Sequence, residues 1–177
     1  IITIWVYYFF RDPERFPIND ENYLLSPADG VVTQITELDG PSDLGLENKK
    51  FTRVSIFMNV FNCHVNRMPS SGKINQIIYK PGKYINASFD KASDENERNY
   101  IKMTNSNGDQ LILVQIAGLI ARRIICEIKE NEETKQGAKF GIIRFGSRVD
   151  LYFENYELMI RKNQKMVAGE TIIAKKK

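Results

Sequence analysis

From about residue 23 onward the chain is a succession of short apolar runs separated by turn residues, and that texture leaves few folds open. Residues 31–35, 52–58, 72–79, 111–116 and 149–153 are rich in β-branched and aromatic side chains and are bounded by Gly, Pro, Asn or Asp. Runs this short bury their apolar faces only by pairing with one another. The fold class predicted is therefore mainly β (α+β), a compact β domain with few short helices. Residues 119–125 suit a short helix and a continuing strand equally. A chain of 177 residues with 42% hydrophobic content can close a single core, so one domain is expected.

A faint internal echo runs through the strands. Gly30 and Gly72 each precede a β run, and Gly82 and Gly169 each sit in a turn before another. This resembles the barrel-sandwich pattern of biotinyl and lipoyl carrier domains, although ordinary turn chemistry also places Gly before strands. The modifiable lysine of such carriers is not evident at a hairpin tip.

Charge excludes more than it suggests. Twenty-five basic against 22 acidic residues is too even a balance for a nucleic-acid binder. The terminal run Lys175-Lys176-Lys177 reads as a solvated tail or a contact to anionic lipid. Cys63 and Cys126 form no CxxC pair, so neither a disulfide framework nor a zinc site is indicated, and a reducing setting fits. His64 is the only histidine, which limits imidazole chemistry to one residue.

Residues 1–10 are almost wholly apolar and aromatic, then give way to Arg11-Asp12-Pro13-Glu14-Arg15. Ten apolar residues are too few to cross a bilayer, which takes about 20. An aromatic cluster beside an arginine suits the headgroup level of a membrane. Residues 1–20 are thus expected to be a membrane-proximal segment and connector, the end of an anchor whose upstream part is missing. Residues 21–177 are expected to form the folded domain. A buried first strand is the competing explanation for the apolar start.

Three segments could carry chemistry: Ser26-Pro27-Ala28-Asp29-Gly30, His64-Val65-Asn66-Arg67-Met68-Pro69, and Arg144-Phe145-Gly146-Ser147-Arg148-Val149-Asp150. Each also has a structural explanation, as a β-turn, a strand-end histidine and a bulge. Together they supply a carboxylate in Asp29, a base in His64 and a hydroxyl in Ser147. That set serves either a Ser-His-Asp hydrolase or self-cleavage at the serine. Gly146 favours the second, because a residue without Cβ admits close approach and unusual backbone angles.

These segments, with Phe9-Phe10-Arg11-Asp12-Pro13-Glu14-Arg15, residues 86–93 with Asn96-Glu97-Arg98, and residues 115–124, run in the order found in one family. The chain resembles the short, bacterial-type phosphatidylserine decarboxylases from Phe9 to about Asp150, and more loosely to its end. The resemblance implies a proenzyme cut between Gly146 and Ser147 into a β subunit (1–146) and an α subunit (147–177). It implies a covalent pyruvoyl cofactor made from Ser147, whose ketone takes up the substrate's amine and draws in the electrons released as CO2 leaves. His64 and Asp29 are the expected catalytic partners of Ser147, with Arg67 and Arg98 as candidate holders of the substrate phosphate.

Longer family members carry Leu-Gly-Ser-Thr at the cut and a His-x-x-His before Met-Pro. This chain has only His64 of that pair and Arg67 in the second place, so one imidazole would serve cleavage, decarboxylation or both. The implied partners are phosphatidylserine in the membrane and the chain's own cleaved subunit, at the cytoplasmic face of the cell membrane. Neither a metal nor a nucleic acid is implied, and a homo-oligomer is compatible. A Ser-His-Asp hydrolase and a non-catalytic, carrier-like β module at the membrane are the readings from other classes.

Overall fold

The computed structural model describes residues 2–84, 87, 95–118, 123–144 and 146–177. Most of the 86–93 block, residues 119–122 of the undecided helix or strand, and Phe145 lie outside the described residues. The chain opens with helix α1 (Ile2–Phe9) rather than a strand, followed by an irregular connector to residue 22. The remaining elements are strands: β1 (Tyr23–Leu25), β2 (Gly30–Asp39), β3 (Lys50–Met58), β4 (Val65–Arg67), β5 (Gly72–Lys80), β6 (Arg98–Asn105) and β7 (Gln110–Ile116). Then come β8 (Ile124–Cys126), β9 (Glu133–Thr134), β10 (Lys139–Ile143), β11 (Ser147–Phe153), β12 (Tyr156–Leu158), β13 (Lys165–Met166) and β14 (Ile172–Lys176). The chain is a mainly β domain, as its sequence predicts.

The strands form an eight-stranded sheet in the order β13-β2-β3-β11-β7-β6-β5-β9, and two three-stranded sheets, β1-β14-β12 and β4-β10-β8. This order is palindromic. Exchanging β2 with β5, β3 with β6, β11 with β7 and β13 with β9 reverses it, and the small sheets exchange likewise. Local detail follows the same pseudo-two-fold relation: a bulge interrupts β2 after Val32 and β5 after Ile74. Asn131 and Asn163 take nearly equal positive φ angles of 67° and 68°, as do Gly137 and Gly169 at 76°. Gly30 and Gly72 lie against the neighbouring strand so closely that a Cβ would come within 2.1 Å of the Phe57 carbonyl or 2.3 Å of the Thr104 carbonyl. The faint echo of Gly before β runs is thus half of a real internal repeat.

The repeat also explains where Gly146-Ser147 falls. In one half, β6 and β7 join through a tight turn ending at Gly108-Asp109, with Gly108 at φ 81°. The equivalent strands β3 and β11 are instead separated by the whole other half of the molecule, and the chain returns through Gly146 at φ 61° into Ser147.

Strand alternation sends Val149, Leu151 and Phe153 of β11 into the larger core with Val54, Ile56, Leu111 and Leu113. Tyr152 faces the opposite side, with Tyr100, Ile112, Val114 and Ile116. Each fully buried Leu, Ile or Phe contributes about 1.5–3 kcal/mol. Lys175 and Lys176 are no loose tail: both belong to β14, and Lys176 pairs with Asp109 at 2.8 Å.

Gly72 lies at the far end of the sheet from Ser147, and Gly72→Ala should destabilise the protein by about 1–3 kcal/mol, the usual range for overpacking. Chemical denaturation checks this, and an unchanged midpoint would contradict the close approach of β5 to β6.

Candidate active site

One end of the large sheet gathers the chemistry. Register places Gly30 beside the end of β3, where Met58 pairs with Ser147 at the start of β11. Arg148 pairs with Ile116, which brings Ala117 and Gly118 to the same end, and Ala117 donates its N–H to the Glu97 carbonyl at 2.9 Å. His64 precedes β4, and its carbonyl accepts the Ile143 N–H at 3.4 Å, three residues before Gly146. The first two sequence segments are joined directly, through Arg67 N–H to the Pro27 carbonyl and Leu25 N–H to the Pro69 carbonyl, both 2.9 Å.

Ser147 is fully buried and its Oγ has no hydrogen-bond partner among the described residues. His64 is fully buried as well. Its Nδ1 lies 3.0 Å from the Asn62 carbonyl, which can only accept, so Nδ1 carries the proton and Nε2 presents its lone pair. Nε2 likewise has no partner among the described residues. The ring stacks against Phe9 of α1, centroids 4.4 Å apart. Burial lowers the His64 pKa from 6.5 to about 4; the Asn62 hydrogen bond opposes that shift and the Arg11 charge adds to it. The imidazole is therefore neutral, and able to accept a proton, at ordinary pH.

Asp29 is held elsewhere. Its carboxylate takes both bonds from Arg15, at 2.8 and 3.0 Å, and the Ala168 N–H at 2.7 Å. The contact that fixes the histidine tautomer comes from Asn62, a backbone carbonyl that sequence reasoning had no means to select. Arg15 belongs to the connector that leads from α1, so Asp29 bears on His64 through the segment that delivers Phe9.

Arg67 is also engaged, by Asp12 at 2.5 Å and by the Pro13 and Gly137 carbonyls, each at 3.1 Å. Arg98 lies on the sheet face opposite Ser147, since it stands in the row of Arg148 and Ile116. There it lines a cleft of about 410 Å3 with Lys80, Arg53, Asp43, Asp150 and Tyr152. It donates to the Tyr100 hydroxyl at 2.7 Å and lies 3.6 Å from Asp43. The structure thus brings Ser147, Gly146 and the His64 segment to one end of the sheet and sends the two arginines to different surroundings.

Two further features had little signal in the sequence. Arg148 is completely buried, bonded to Asp150 at 2.9 and 3.0 Å and to the Ala87 carbonyl at 3.4 Å. On the other face of the sheet, the face of Ser147, a buried amide chain runs from Asn99 to Gln115 at 3.1 Å and from Gln115 to Asn66 at 2.9 Å. Polar residues in otherwise apolar strands were the only hint of either. No cluster of metal-binding side chains occurs among the described residues.

The site is thus a buried serine hydroxyl preceded by a left-handed glycine, with a neutral histidine at the same end of a mainly β domain. Comparison with known proteins gives the family. The Phosphatidylserine decarboxylase family matches residues 2–174. The chain is 64% identical over 176 residues to the phosphatidylserine decarboxylase proenzyme of Pelagibacter ubique, covering 99% of this chain and 82% of that one. It is 53% identical to the Rickettsia prowazekii proenzyme (98% and 76% covered) and 51% identical to that of Ruegeria pomeroyi (98% and 80%). The chain belongs to the phosphatidylserine decarboxylase family.

The single histidine makes its protonation directly measurable. In an uncut Ser147→Ala protein, NMR should show His64 staying neutral until about pH 4. A value near the ordinary 6.5 would contradict the burial of the ring. The unfolded chain binds a proton near 6.5 and the folded one only near 4, so the unfolded state is favoured between those values. Stability should accordingly fall as pH drops through that window.

Proposed function

We propose that the protein cleaves itself between Gly146 and Ser147 and then decarboxylates phosphatidylserine to phosphatidylethanolamine and CO2. The observation that carries this reading is a pair of buried groups with no hydrogen-bond partner among the described residues, Ser147 Oγ and His64 Nε2, at the end of the sheet where the chain enters β11. A buried polar atom without a partner costs about 1–3 kcal/mol, and such atoms persist where they are needed for reaction.

In maturation, Ser147 Oγ attacks the Gly146 carbonyl carbon while His64 Nε2 accepts its proton. The amide becomes an ester, and the proton passes to the Ser147 nitrogen. Loss of the Ser147 α-proton expels the Gly146 carboxylate, and hydrolysis of the dehydroalanine left behind releases ammonia and leaves a pyruvoyl end on β11. The residues fit that group, since Gly146 has the backbone angle for a close turn and the hydroxyl is held free of competing bonds. A pyruvoyl ketone supplies an electron sink for the bond to CO2. His64 Nε2 would take up the proton that the substrate ammonium gives up and pass it to the carbon that has lost CO2. Asp29 acts as a positioning residue, tying Arg15 and hence the Phe9 contact to the sheet. Arg67 would exchange its partner Asp12 to take the substrate phosphate, and Arg98, beside Asp43, would do so only for a phosphate on the sheet face opposite Ser147.

The apolar start supports a membrane setting for this chemistry. No helix among the described residues is long and apolar enough to cross a bilayer. Helix α1 nevertheless exposes Ile4 and Tyr7, with Phe16, Ile18 and Phe61 also exposed, while Phe9 rests on His64 and Arg144 lies over the Phe10 ring. A surface that inserts at headgroup level is thereby fixed beside the reactive histidine. The hydrolase reading is not favoured, because the carboxylate it needs on Nδ1 is bonded to Arg15 instead.

CO2 release from phosphatidylserine vesicles tests the reading. Ser147→Ala should remain one chain and release none. His64→Ala should lose about 100- to 10,000-fold in rate, the usual contribution of a positioned acid or base. Asp29→Asn should slow maturation more than turnover of cut enzyme. Full turnover by the His64→Ala protein would overturn the proton role. Removing residues 2–10 should reduce sedimentation with anionic vesicles, and unchanged sedimentation would contradict the role given to α1.

A further inference from the structure

Two glycines meet at the proposed cut, and they are needed for different reasons. Gly146 has φ 61°, where a side chain is strained, yet a Cβ on it would find nothing within 4 Å. Gly118 has no such backbone angle. A Cβ on Gly118 would instead lie 1.5 Å from the Gly146 carbonyl oxygen and 2.7 Å from its carbon. Conformation does not call for glycine at 118. The carbonyl of Gly146 does.

We propose that Gly118 is a positioning residue for self-cleavage, its bare Cα forming the seat that holds the Gly146 carbonyl where Ser147 Oγ can reach it. The inference rests on the assignment of Gly146-Ser147 as the cut. One described neighbour anchors each side of the seat. Ala117 is clamped by its N–H to the Glu97 carbonyl at 2.9 Å and by Asn96 Nδ2 to its own carbonyl at 2.8 Å. Ser147 and Arg148 are fixed by pairing to Met58, Phe57 and Ile116, and Arg148 reaches across to the Ala87 carbonyl. Ala87 closes the seat, its Cβ 3.6 Å from the position a Gly118 Cβ would take.

Ala117 before Gly118 and Ser147 after Gly146 are both held by backbone bonds, so an alanine at 118 displaces the Gly146 carbonyl. A misplacement of about 1 Å costs on the order of 100-fold in a reaction that depends on near-attack geometry. Carbonyl orientation also decides which face of the carbon the hydroxyl meets. Gly118 thus governs the first step, ester formation, and none of the later proton transfers.

The test is the processing rate of full-length Gly118→Ala, followed on a denaturing gel beside the wild type, with thermal melting to confirm folding. Folded protein cut at least about 100-fold more slowly is the expected result. Hydroxylamine, which cleaves esters and leaves amides, should hasten fragment release from wild-type precursor and not from folded Gly118→Ala. This readout separates a block before the ester from a general loss of stability. Cleavage of Gly118→Ala at the wild-type rate overturns the proposal. If that variant does not fold, Ala87→Leu, which fills the seat from the other side, decides: slowed cutting supports the seat and wild-type cutting overturns it. A wild-type chain that is never cut would defeat the cleavage assignment instead.

Discussion

The pairing of β11 between β3 and β7 is the constraint on which the rest depends. All seven of its residues are buried, and it joins the two pseudo-equivalent halves at the centre of the large sheet. The strand begins at Ser147. A cut before that residue leaves both ladders whole, so the C-terminal piece stays locked to the remainder by β11, by β13 paired with β2 and by β14 paired with β1. Arg148, the second residue of that piece, reaches back to the Ala87 carbonyl at 3.4 Å. A chain can break there and lose little of its fold.

The same rigidity bears on the proposed chemistry. Ser147 Oγ and His64 Nε2 find no hydrogen-bond partner among the described residues, and the surrounding core offsets the cost. The pseudo-two-fold relation sharpens the contrast. At the position equivalent to Ser147, Asp109 is satisfied by Tyr156 and Lys176, each at 2.8 Å, in a plain turn. One half of the repeat closes its turn with a stabilising network, while the other opens the turn to hold its partner half and places an unsatisfied hydroxyl there.

Much of this was legible in the sequence, for reasons that differ by residue. The strands announced themselves through β-branched runs and turn residues, because β pairing acts locally on pattern. Ser147, Gly146 and His64 were readable from ordered motifs. Helix α1 was not separable from a strand, since ten apolar residues have no polar face to set a period. The Asn62 carbonyl that fixes the imidazole, and the engagement of Asp29 by Arg15, are contacts of backbone or of distant charges that no spacing encodes. Gly118 stood in a matched segment, but its purpose appears only when residue 146 is brought against it.

Intact mass of the purified wild-type chain under denaturing conditions tests the central claim most directly. The account predicts two fragments divided between Gly146 and Ser147, the smaller having lost the amine of Ser147 and carrying a ketone that blocks Edman degradation. A single full-length mass in protein that still releases CO2 from phosphatidylserine would contradict it.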